Sequence, residues 1–176
     1  MNLREAILKE HSKNQCSKIV AYIGDHQQRF DELAALFLHG GYRLAQRAVW
    51  PLSYCVAAHP HLVKKHLKKI IHNLKKPGIH NAVKRNTLRL LQETDIPESI
   101  QGELLDICFK YVADPKEAVA VKAFSLSILS RFTQQYPEII PEIKLLIEDQ
   151  LPHQTAAFAS RAKKVLKELE GKDHKA

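Results

Sequence analysis

Between residues 33 and 92 the chain has no aspartate and no glutamate, while eleven lysines and arginines fall in the same stretch. The segments on either side differ. Residues 1–32 balance five basic against five acidic side chains, and residues 93–176 carry eleven basic and fourteen acidic ones. The formal charge of +8 is therefore a property of the middle third, and a positive block of this kind points to acidic partners.

Other absences narrow the function further. There are only three cysteines, Cys16, Cys55 and Cys108, widely spaced and without a C-x-x-C pair. That excludes a disulfide framework and a thiolate zinc site, and predicts buried free thiols in a reducing cytoplasm. The opening MNLREAILKEH is charged too early for a secretory signal, and no run of eighteen apolar residues predicts a membrane span. The phosphate-binding glycine loop, the H-E-x-x-H helix and the G-x-S-x-G elbow are all missing. No catalytic residue and no cofactor is assigned on this basis.

What is present is punctuation and helical periodicity. Gly40-Gly41, Pro60, Pro77-Gly78, Pro97, Asp114-Pro115, Pro137 and Pro152 cut the chain into segments rich in Leu, Ala, Lys, Gln and Glu, which favour helix. In 61–76, Leu62, Val63, Leu67, Ile70, Ile71 and Leu74 follow one stripe of a 3.6-residue helix. Ile100, Leu104, Leu105, Cys108 and Tyr111 form another, as do Ile139, Ile140, Ile143, Leu146 and Ile147. Segment 117–133 is apolar over more of its circumference and predicts a helix with neighbours on both sides.

The segments superpose. AQRAVWPLSY (45–54), VKRNTLRLLQ (83–92), AVKAFSLSIL (120–129) and ASRAKKVLKE (159–168) share a basic residue, Arg47, Arg85, Lys122 or Arg161, at separations of 38, 37 and 39. Small residues stand close by in most copies, and Lys13 opens a weaker fifth copy. A period near 38 built from two helices is an α-solenoid signature.

On these residues, over about 10 to 170, the chain resembles the HEAT/armadillo-like repeat family. The resemblance implies an all-α, right-handed superhelix of about eight or nine antiparallel helices, a single domain over 1–170, and a frayed tail over 171–176. HEAT units often carry Asp about six residues before the basic position; here Gly41, Ile79, Lys116 and Thr155 stand there, so no acid–base ladder between repeats is expected. The stretch QRAVWPLSYCVAAHPHLVKKHL also resembles a family of short bacterial HEAT-like proteins with no established activity. Some of these carry the label adenylosuccinate lyase. That much larger fold brings a Ser- and Gly-rich mobile loop, and these 176 residues hold none.

Candidate partner-binding residues come from the positive block. Lys64, Lys65, Lys68 and Lys69 spread over the polar arc of a predicted amphipathic helix, and Lys84, Arg85 and Arg89 open the next. Three readings compete: a solvated face whose lysine stems cover apolar neighbours, a patch for an acidic protein or peptide, and a phosphate-tracking surface for nucleic acid. Membrane insertion is not expected, because the apolar stripe has no Trp or Phe to insert. The column of Arg47, Arg85, Lys122 and Arg161 either caps neighbouring repeats or, with Arg43 and Arg89, forms a basic ladder for carboxylates. Pro51, inside a predicted helix, predicts a kink that leaves the Arg47 carbonyl without its helical donor. Trp50 is expected in the core, while Trp50 and Tyr54 together are the alternative aromatic anchor.

His59, His61, His66, His72 and His80 lack the i, i+4 spacing and nearby acids of a metal site, so no metal is expected. The function ranked first is a non-catalytic scaffold that docks an acidic protein or peptide on its basic middle repeats. The second is a nucleic-acid-binding helical-repeat protein, since helical-repeat proteins resembling this chain include DNA-repair glycosylases. An enzyme assembled from distant residues is the third.

Overall fold

The computed structural model describes residues 1–173, with helix assigned throughout its last stretch and side chains described to Gly171. Among the described residues there are ten α-helices and no strand. They are α1 (Leu3–Lys9), α2 (Lys13–Ile23), α3 (Gln27–His39), α4 (Tyr42–Ala58), α5 (Leu67–Asn73), α6 (Asn81–Leu91), α7 (Glu98–Ala113), α8 (Val119–Phe132), α9 (Ile140–Gln150) and α10 (Ala156–Asp173). Short 3₁₀ segments, Pro60–His66, Pro137–Ile139 and Leu151–His153, lead into α5, α9 and α10. None of these helices is long and apolar enough to cross a membrane.

The punctuation residues fall between helices. At Gly40 a Cβ would meet the Leu36 carbonyl at 2.3 Å and Leu44 at 2.5 Å, so only glycine permits this close α3–α4 turn, and Gly41 follows at φ +79°. The helix count exceeds the expected eight or nine because the first segment divides. Asn2 and Ser12 each accept a hydrogen bond from the backbone N–H three residues on, at 3.2 and 3.1 Å, and so start α1 and α2 separately. The Pro51 helix runs unbroken from Tyr42 to Ala58 with the proline buried. Part of the predicted tail is helical, since α10 extends to Asp173; residues 174–176 lie outside the described residues.

The chain forms two compact units, Met1–Pro97 and a second that starts at Glu98. In the first, α4 is the hub. It packs on α3, and α2 and α6 flank it in one layer, while α1, α3 and the Pro60–Asn73 segment make the other. Phe30, Leu33, Ala34 and Phe37 of α3 and Ala48, Val49 and Leu52 of α4, two helices packed on each other, have essentially no exposure. Each buried Leu or Phe stabilises by about 1.5–3 kcal/mol. In the second unit α8 lies between α7 and α10, as its nearly all-round apolar pattern requires.

The helix pairs explain the repeat. Arg47, Arg85, Lys122 and Arg161 stand on α4, α6, α8 and α10, the second helix of successive pairs. Several tertiary hydrogen bonds span close to one repeat: Gln27 to Leu62, His66 to Asp31, Arg47 to Leu8 and Ser130 to Glu168 are 35, 35, 39 and 38 residues apart. Such spacing arises when equivalent parts of adjacent repeats touch.

Candidate functional site

The lysine-rich segment is not the single helix that its stripe predicts. Pro60–His66 is 3₁₀ and only Leu67–Asn73 is α-helical. Tertiary bonds hold it in this form. The Gln27 amide donates to the Leu62 carbonyl at 3.0 Å, and Asp31 on α3 binds Lys65 at 2.6 Å and His66 at 2.7 Å. Burial alone would raise the Asp31 carboxyl. The hydrogen bonds from Lys65, His66 and Gln27, with the Lys65 charge beside it, outweigh that and pull it down to about 2. Asp25 in turn lies 2.8 Å from His61 and 3.5 Å from His59.

The acid-free block is thus met by carboxylates from just before it. Lys64, Lys65, Lys68 and Lys69 are all exposed, but Lys65 already has its counter-ion. One cue to this pairing is visible in the chain: Asp25 and Asp31, six apart, precede His61 and Lys65 by 36 and 34 residues, about one repeat.

A second basic surface lies on the other layer. Helices α2, α4 and α6 carry seven cations, Lys13, Lys18, Arg43, Arg47, Lys84, Arg85 and Arg89, and no carboxylate. Arg43, Arg85 and Arg89 are exposed and Lys84 is half-buried. The Arg89 guanidinium stacks over the Tyr54 ring at 5.0 Å, and Tyr54 is 40% exposed. Trp50 was expected in the core but is only half-buried, and its ring meets His11 edge-on at 5.1 Å. Burial, with the charge of Arg47, holds His11 below its ordinary value and favours the neutral ring there.

Arg47 takes the capping role. Its Nη1 donates to the Leu8 carbonyl at 2.8 Å, in the last turn of α1, which otherwise lacks a helical donor. Arg47, Trp50 and Tyr54 fall on one side of α4, spaced three and four residues apart.

The equivalent column in the second unit behaves differently. Lys122, predicted to bind a partner, has no exposed surface at all, and its Nζ donates to Gln150 Oε1 at 2.6 Å. Burial lowers its pKa, opposed by the charges of Asp114 and Glu117. It is a core residue and cannot belong to an exposed ladder. Arg161 is half-buried in an open cleft with Ser127, Ser130, Arg131, Gln134 and Glu168, where Ser130 Oγ donates to Glu168 Oε2 at 2.8 Å. One register position therefore has several roles, set by what stacks beside it.

Among the described residues no group of three His, Cys, Asp or Glu side chains could hold a metal ion. The three cysteines are buried and free. Burial pushes the Cys16 thiol up to about 11 and those of Cys55 and Cys108 to about 12, so none is a ready thiolate near neutral pH.

A family model for the HEAT repeat domain matches residues 3–169. No curated protein and no solved structure matches the chain. With paired helices along both units and a repeat column on every second helix, the chain belongs to the HEAT repeat family.

Proposed function

We propose that this HEAT-repeat protein is a non-catalytic docking scaffold that binds an acidic segment of a partner protein along the α2–α4–α6 layer of its first unit. The observation that carries this reading is the composition of that layer: seven cations, no carboxylate, and a half-open Trp50–Tyr54 pair beside Arg89. Aromatic residues and Arg are the usual interface anchors. An Arg fork suits carboxylates because it bonds both oxygens at once. The Lys64–Lys69 group, already countered in part by Asp31, acts mainly in long-range attraction. Three buried free thiols fit a reducing compartment, and we place the protein in the cytoplasm.

A glutamate-rich peptide with a fluorescent label tests the reading by anisotropy at low and physiological salt. Binding that is lost on Arg85→Glu with Arg89→Glu supports it; no binding at low salt overturns it. An oligonucleotide in parallel tests the nucleic-acid reading, which the stack of Arg89 on Tyr54 favours as a platform for a base. About four phosphate contacts would give log K a slope near −2.8 against log salt on a single strand, where bases can stack, and near −3.6 on duplex DNA. Tight oligonucleotide binding with a slope of that size, with no peptide binding, replaces the acidic-protein reading.

A further inference from the structure

Between α2 and α4 the first unit has a partly open cavity of about 240 Å³, lined by Lys13, Cys16, Ser17, Val20, Ala21, Trp50 and Tyr54. Its walls are mainly apolar, with Lys13 and Ser17 as its polar members. It lies below the ~300–1,000 Å³ of sites that enclose a drug-sized ligand, so its capacity suits a single side chain. The Cys16 thiol in its wall is not a ready nucleophile, which argues for binding and against chemistry. Cations stand on two sides: Lys13 in the lining, and Arg89 over the outer ring, Tyr54.

We propose that this cavity receives one apolar side chain, of leucine or phenylalanine size, from the acidic segment, so that the recognised feature is an apolar anchor flanked by carboxylates. The inference rests on the docking reading above and specifies what that face recognises. Its spacing follows from helix packing. Neighbouring helix axes lie ~8–10 Å apart, and an extended chain advances about 3.3 Å per residue. A carboxylate that reaches Arg85 or Arg89 from an anchor in the cavity is therefore about two or three residues away. A carboxylate for Lys13 lies closer, on the opposite side of the anchor.

Trp50 is the only tryptophan in the chain, so its emission reports directly on the cavity. Three labelled peptides make the test: glutamates flanking a phenylalanine, the same with alanine for phenylalanine, and the first with every glutamate replaced by glutamine. The phenylalanine peptide is expected to bind roughly ten- to a hundredfold tighter than the alanine peptide and to shift Trp50 emission to the blue. Ala21→Phe, an exposed position that lines the cavity, is expected to fill it and remove that preference.

Equal binding of the phenylalanine and alanine peptides, with Trp50 emission unmoved, overturns the cavity assignment and leaves the docking reading standing. Equal binding of the glutamine and glutamate peptides overturns the acidic-partner reading and leaves the cavity as an anchor site. No binding of any peptide at low salt overturns both.

Discussion

The second helices of the two units carry the same repeat signature and use it in different ways. In the first unit α2, α4 and α6 display cations without a single carboxylate, and the exposed Arg85 and Arg89 leave that charge open to a partner. In the second unit the column is less open to solvent: Lys122 is sealed against Gln150, and Arg161 is half-buried in an open cleft beside Glu168. A basic column in a helical repeat is therefore a structural position before it is a binding motif. What decides between the two is whether the next helix leaves the side chain in water or closes over it.

The contrast can be broken most severely at Lys122. Lys122→Ala empties a closed site and removes the buried Nζ–Gln150 hydrogen bond, so it is expected to lower unfolding stability by ~2–5 kcal/mol. Arg85→Ala, at the same register position, is expected to stay within about 0.5 kcal/mol. Urea denaturation of both variants decides; equal effects would end the distinction between an inward and an outward column.

Binding sharpens it next. Arg85→Glu with Arg89→Glu is expected to weaken the acidic peptide by roughly thirtyfold or more, and Arg161→Glu in the second unit by less than about threefold. Anisotropy titrations check this, and a larger loss from the second unit would move the docking face there.

Asp31 separates the two basic surfaces within the first unit. Its carboxyl has an ordinary value of 3.8 and a folded value of about 2. As pH falls, the unfolded chain takes up this proton first. The stabilisation is thus complete above about pH 4 and is lost as pH falls through about 2. Asp31→Asn is expected to flatten stability across that window and to cost about 1 kcal/mol at neutral pH, by thermal melts against pH. It also releases Lys65, and any gain in peptide affinity measures what that pair withholds. The smallest effect is expected from replacing Lys64, Lys65, Lys68 and Lys69 by Gln. That change should slow association at low salt and alter affinity at physiological salt by less than about threefold, as stopped-flow traces would show.

Much of the fold was legible because helical repeats are written locally. Gly40-Gly41, Pro77-Gly78 and Asp114-Pro115 end or separate helices for reasons internal to the backbone, and the apolar stripes name the buried faces without reference to a neighbour. The boundary between α1 and α2 was harder to see, since it depends on Ser12 capping a helix with no Gly or Pro before it. The 3₁₀ form of Pro60–His66 was hidden for a different reason. Its stripe reads as α-helix, but Asp31 and Gln27, some 35 residues away, hold it otherwise.

The candidate site divides along the same line. The helical class, the repeat length and the unbalanced positive charge of the middle third are written along the chain, because periodicity and composition act through its nearest turns. Which cations remain exposed is set by how the helices pack. Arg47 caps α1, Lys65 holds Asp31, Lys122 is buried, and Arg85 and Arg89 stay exposed, Arg89 over the Tyr54 ring. Exposure and charge pairing depend on which helices stack against each other, a relation between residues a whole repeat apart that no local pattern records.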